Sequence, residues 1–104
     1  MSKQEIGFDT VRHIGLGLPG AEDGIAYGLP ALKAGGQLLA CVPADPSAEP
    51  GSIVLRVNFG DRAELLAAAP DVYYVTDHYI DYNEVLGRLS RLHAGLLRDL
   101  LGVA

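Results

Sequence analysis

Tryptophan is absent from this 104-residue chain, and cysteine occurs once, at Cys41. A single cysteine forms no internal disulfide, and it excludes a cysteine-based zinc cluster. Long apolar runs are missing as well. No stretch approaches the eighteen or so apolar residues of a membrane span. The opening residues, Met1 to Asp9, carry no apolar h-region, so no secretory signal is expected and a cytoplasmic location is the default. Positive charge is also scarce: eight basic residues face thirteen acidic ones, for a formal net charge of -5. Proteins that bind duplex DNA without regard to sequence draw most of their affinity from phosphate neutralisation by a cationic surface, so this balance argues against that class unless a local patch overrides it.

What is present is enough for one core. The chain is 49% hydrophobic and 20% charged, the range of globular domains rather than of disordered tails. Its length suits a single domain over residues 1–104. No internal repeat is visible. Phe8, Val11, Ile14 and Leu18 fall at helical spacing, with Asp9 in the first turn, where the helix dipole favours an acid. Gly15 and Gly17 weaken the end of that helix by about 1 kcal/mol each relative to alanine, and Pro19-Gly20 stops it.

Gly24 to Lys33 reads as one strand, with Gly28 and Pro30 marking a kink or an edge position. Gly35-Gly36 signals a tight turn, and Gln37 to Val42 returns as the second arm of a hairpin. Pro43 to Gly51 holds three prolines and two acids and reads as an exposed loop. Ser52 to Asn58 is the clearest strand: Ile53, Leu55 and Val57 point one way, Val54 and Arg56 the other. Asp61 and Glu64 have capping-box spacing, which predicts a helix opened by Asp61 and closed before Pro70. Val72 to Thr76 is β-branched and aromatic, hence a strand. Beyond Val85 two patterns overlap. The leucines through Leu101 fit one long amphipathic helix, whereas Val85 to Arg91 also alternates like a strand.

Three short segments, Leu18-Pro-Gly-Ala-Glu-Asp23, Tyr27-Gly-Leu-Pro-Ala-Leu-Lys33 and Thr76-Asp-His-Tyr79, resemble in order and spacing the MmcQ/YjbR family of small bacterial proteins. The likeness runs from about Phe8 to Leu101. It implies a two-layer α+β fold of order α-β-β-β-α-β-β-α, with one antiparallel five-stranded sheet and helices on one face. It also implies a strand over Glu84 to Leu89 followed by a helix starting near His93-Ala94. Members of the family often carry a DNA-binding label because the arrangement is called a double wing. Such a label is an analogy of fold and does not settle function.

No catalytic constellation is found, so no enzyme activity, cofactor or metal is expected. Gly15-Leu-Gly17-Leu-Pro-Gly20 satisfies the dinucleotide pattern G-x-G-x-x-G, but these glycines close a helix instead of opening one, and Pro19 removes an N–H. Asp77 to Tyr82 gathers carboxylates, an imidazole and phenols after a strand end. His78 there is a conceivable base or metal ligand; the plainer reading is a polar turn, with His78 or Tyr79 as a binding contact. Cys41 reads as a small buried hydrophobe.

Alternation along the strands puts Lys33, Arg56 and Arg88 on the side of the sheet away from the helices, with a ring from Tyr73 or Tyr74. An antiparallel sheet covered on one face leaves the other to water. The three cations are therefore expected as neighbours on a bare face, a surface for nucleic acid or another anionic ligand. The plain alternative is a solvated face with charges scattered for solubility. The competing functional reading uses the same face for homodimerisation or for another protein, seeded by Val54, Leu86 and Leu92.

Overall fold

The computed structural model describes residues 7–92. Their order is α1 (Phe8–Leu16), β1 (Ala21–Ala26), β2 (Leu29–Ala34), β3 (Gln37–Cys41), β4 (Ser52–Arg56), α2 (Phe59–Ala68), β5 (Tyr73–Tyr74) and β6 (Glu84–Arg88), then a short 3-10 turn at Leu89–Arg91. The strands form one open antiparallel sheet in the order β1-β2-β3-β4-β6-β5. The fold is α+β, as expected, but the sheet has six strands among the described residues, not five.

The extra strand comes from the segment read as one strand. Tyr27 and Gly28 both take positive φ, 55° and 78°, and reverse the chain so that Ala26 pairs with Leu29 and Ile25 with Pro30. Two consecutive left-handed residues match the right-handed twist of a hairpin. The first of them is a tyrosine, an uncommon residue there, and for that reason the turn was hidden in the sequence. The following turn at Gly35-Gly36 is where its dipeptide places it.

The second helix starts earlier than its spacing predicts. Asn58, not Asp61, is the cap: its Oδ1 accepts the Asp61 N–H at 2.7 Å, and its Nδ2 donates to the Asp61 carboxylate at 3.1 Å. Asp61 thus fills the third helical position, three residues after the cap, and its carboxylate accepts from the cap's side-chain amide. The last described segment resolves the double pattern. Glu84–Arg88 is a strand paired with both β4 and β5, and no helix runs through Val85 to Arg91. The helix expected after His93 lies outside the described residues.

Both faces of the sheet are packed. On one face Val11 of α1 and Leu65 and Leu66 of α2 meet Leu32, Ile53, Leu55 and Val85. This is the helix-covered core that alternation predicts. On the other face Ala31, Cys41, Val54 and Leu86 are buried against Tyr79, with Ala48 and Tyr74 packed around them. That second face was expected to be bare, and it is not. Two connecting segments lie over its centre, residues 43–51 and 75–83. They are tied to each other by Ser47 Oγ and Thr76 Oγ1 at 2.8 Å, and to the sheet by the Tyr74 hydroxyl, which accepts the Glu49 N–H at 2.8 Å. Alternation assigns side chains to faces, but it does not say whether a loop folds back to cover one.

The two glycines near the end of α1 differ in consequence. A Cβ on Gly15 would collide with the Leu32 side chain, which is fully buried; one on Gly17 would meet only the Ile14 carbonyl at 3.4 Å, at an ordinary φ of -76°. Gly15→Ala should therefore destabilise by about 1 kcal/mol net, overpacking outweighing the helix-propensity gain. Gly17→Ala should stabilise by about 0.5 kcal/mol through the unfolded chain. Urea unfolding of the two variants should show shifts of opposite sign.

Candidate functional site

The second face carries a cavity of about 310 Å³. Its floor is apolar: Cys41 at the end of β3 and Val54 in β4, paired across the sheet and each at most 3% exposed. Its walls are rings. Tyr79 is buried among the floor residues, whereas Tyr82 and Tyr27 stand at the rim, 54% and 84% exposed. Tyr27 is there because of the left-handed turn between β1 and β2. Ala44 and three ionisable side chains, Asp45, His78 and Glu84, complete the lining.

Each of the three is placed by local structure. Asp45 closes an Asx-type turn, accepting the Ser47 N–H at 2.9 Å. The Ser47 bonds, with a smaller contribution from His78, hold the Asp45 carboxyl below its usual range. His78 sets Nδ1 3.3 Å from the Asp45 carboxylate and packs edge-on against Tyr79, ring centres 4.7 Å apart. Glu84 opens β6. Burial pushes its carboxyl up, partly opposed by His78. Among the described residues its carboxylate has neither a hydrogen bond nor an ion pair.

The strap bearing Tyr79 to Glu84 is held by Arg62 of α2. Its guanidinium donates to the carbonyls of Ile80 at 3.0 Å, Tyr82 at 2.9 Å and Glu84 at 3.3 Å, and lies 4.6 Å from the Phe59 ring centre. Arg62 touches none of the cavity but positions two of its walls. Nothing in its sequence context distinguishes it from a solvated helix cation.

Of the five residues singled out from the sequence, His78 and Tyr79 line the cavity and the three cations do not. Nor are those cations neighbours. Arg56 pairs with Glu84 and Arg88 with Ser52, so the two arginines sit at opposite ends of the β4–β6 pair, four positions or about 13 Å apart. Lys33 is on β2, its stem lying across Gly24 of β1. Arg56 donates to Gln37. Arg88 is fully engaged: it forks onto the Glu49 carboxylate at 2.8 and 3.0 Å, donates to the carbonyls of Pro70 and Asp71, and stacks 4.4 Å over the Tyr74 ring. The side of the sheet was right for Arg56 and Arg88, but position along the strands depends on register, which alternation leaves free.

Tyr27, Asp45 and Glu84 were not singled out from the sequence. Asp45-Pro-Ser47 is a recognisable turn, but its meeting with His78 across 33 residues is not local information. The glycines of the dinucleotide-like pattern are spent on structure, Gly15 against Leu32 and Gly17 at the helix end. Among the described residues, no group of three or more His, Cys, Asp or Glu side chains has the placement to hold a metal ion, and no helix is long and apolar enough to cross a membrane.

The Cys41 thiol is held in its protonated form at neutral pH. Burial, with the Glu84 charge adding, pushes its pKa from 9.0 up to about 11. Because the raised pKa belongs to the folded state, the fold gains from the protonated thiol below about pH 9 and loses that contribution as pH rises through 11. Alkylation by iodoacetamide at pH 8 should run roughly a hundredfold slower than for a free cysteine, as two pKa units dictate, and should become fast on unfolding in urea.

No protein-family model matches this chain, and no curated protein matches it significantly. Among solved structures, its fold is similar to that of Deinococcus radiodurans protein DR2400, which carries a DUF419 domain, at a TM-score of 0.70 and 21% sequence identity, over 97% of this chain and 77% of that one. At that identity the likeness establishes a shared fold.

Proposed function

We propose that the chain is an MmcQ/YjbR-like binding module whose contact site is the tyrosine-rimmed cavity on the second sheet face. Two things support the family reading: the motif resemblance in the sequence, and the DUF419 fold of the structural neighbour, which is related to the MmcQ/YjbR fold. The observation that carries the site is the cavity itself. It joins an apolar floor, exposed rings and a few convergent polar groups, the usual composition of a ligand pocket. His78 and Tyr79 belong to it.

The nucleic-acid partner suggested by the family label draws less support. Arg88 is neutralised by Glu49, and Lys33 and Arg56 are left on a protein of net charge -5. A partner protein fits better, since Tyr27, Ile80 and Tyr82 expose apolar surface at or beside the cavity mouth.

The test is a backbone amide NMR screen with neutral and charged fragments of about five to ten heavy atoms, run beside a titration with duplex DNA at low salt. Fragments should move the resonances of His78, Tyr82 and Glu84, and Tyr82→Ala should weaken that response. Fragment binding absent from this site, or DNA shifts centred on Lys33 and Arg56, would overturn the reading.

A further inference from the structure

We propose that this cavity selects a small organic cation, an alkylammonium group. The inference rests on the cavity being the binding site and adds the class of ligand. Its polar lining is one-sided in charge. Asp45 and Glu84 contribute carboxylates, and no lysine or arginine lines the space. The two acids are not equivalent. Asp45 already has Ser47 and His78, whereas Glu84 lacks a partner among the described residues, in a half-buried position where its charge is poorly solvated. A cation entering the cavity supplies the counter-charge that the fold leaves out.

The rings fit the same ligand. Tyr27, from the β1–β2 turn, and Tyr79 and Tyr82, from the connecting segment before β6, converge on the cavity, and a tyrosine face attracts an ammonium group within about 6 Å. The attraction grows as the cation sheds water, which the buried floor of Cys41 and Val54 favours. At about 310 Å³ the space lies at the small end of ligand cavities and takes an ammonium head with a short alkyl chain. An anion would meet two carboxylates, with no lysine or arginine in the lining to offset them.

The same chemistry reaches the site from two sources, a free amine or a lysine side chain on another protein. The experiment titrates the full chain with n-butylammonium and tetramethylammonium, with tert-butanol and butyrate as neutral and anionic controls, following amide shifts of Tyr27, Tyr82 and Glu84 at low ionic strength. Both ammonium ions should bind saturably, at least tenfold tighter than either control. Glu84→Gln, isosteric and neutral, should lose at least tenfold while circular dichroism and melting show an intact fold. Equal binding of tert-butanol and the ammonium ions overturns cation selection and leaves the cavity as a binding site; an absence of shifts with every probe overturns both. A short acetylated lysine-containing peptide binding more tightly than n-butylammonium supports the proposal and points to a protein partner. Matched affinities support it and point to a free amine.

Discussion

Leu86→Ala is expected to lower the free energy of unfolding by about 3 kcal/mol, within the 2–5 kcal/mol typical of a fully buried leucine. Leu86 has no exposed surface and pairs with Val54 on one side and Tyr74 on the other. It lies on the sheet face away from the helices, among Ala31, Cys41 and Tyr79. The size of the effect therefore separates two pictures of that face. On a sheet open to water, the same truncation changes stability by about 0.5 kcal/mol. Under the packed loops it removes several methyl-sized contacts and leaves a void. Urea unfolding with an unchanged m-value measures the difference. A loss below about 1 kcal/mol would return this face to solvent and remove the walls of the cavity with it.

Arg62→Ala should cost about 2 kcal/mol and weaken binding at the cavity by a larger factor than its effect on the rest of the fold suggests. Hydrogen bonds from a charged donor are worth more than neutral ones, but partial exposure of this cluster discounts the sum of three. The loss should be local. With the guanidinium gone, the strap from Tyr79 to Glu84 keeps its own bonds, Tyr82 N–H to the Tyr79 carbonyl at 3.0 Å and Glu84 N–H to the Tyr82 carbonyl at 2.8 Å, but loses its anchor to α2. Amide hydrogen exchange should therefore accelerate at residues 79–84 and stay unchanged in β2 and β3. Arg62→Lys should rescue little, because a single ammonium group does not span three carbonyls fixed by a planar fork. Uniform acceleration across the sheet would show Arg62 to be a general stabiliser and not a positioning residue.

Arg88, expected at a cationic binding surface, is instead locked onto Glu49 and the Tyr74 ring, which strand alternation does not encode. Arg56 and Arg88 do face away from the helices, as period-two alternation requires. Their worth as a binding surface depended on two quantities that alternation does not hold. One is register, which puts Arg56 beside Glu84 and Arg88 beside Ser52. The other is long-range pairing, which brings Glu49 onto Arg88 from 39 residues away. The cluster of polar and aromatic residues after a strand suggests His78 or Tyr79 as a binding contact, and both side chains line the cavity. Asp45 and Glu84, which give the cavity its charge, come from a proline-rich loop and a strand start with no local mark of function. Tyr27 was concealed twice, by a turn that uses tyrosine where asparagine or glycine is usual and by the strand that seemed to run through it.

The sequence by itself determined the helical face of Phe8, Val11 and Ile14, the hairpin turn at Gly35-Gly36 and the alternation of β4, while it carried the helix on to Leu18, two residues past its end. Each of these follows from the geometry of a few consecutive residues, so it is written locally. Only the tertiary structure decided how many strands the first hairpin makes, that loops cover the second sheet face, and that two acids and three tyrosines from distant segments share one cavity. Those outcomes depend on which surfaces meet when the chain closes, and burial energy belongs to pairs of segments, not to either one alone.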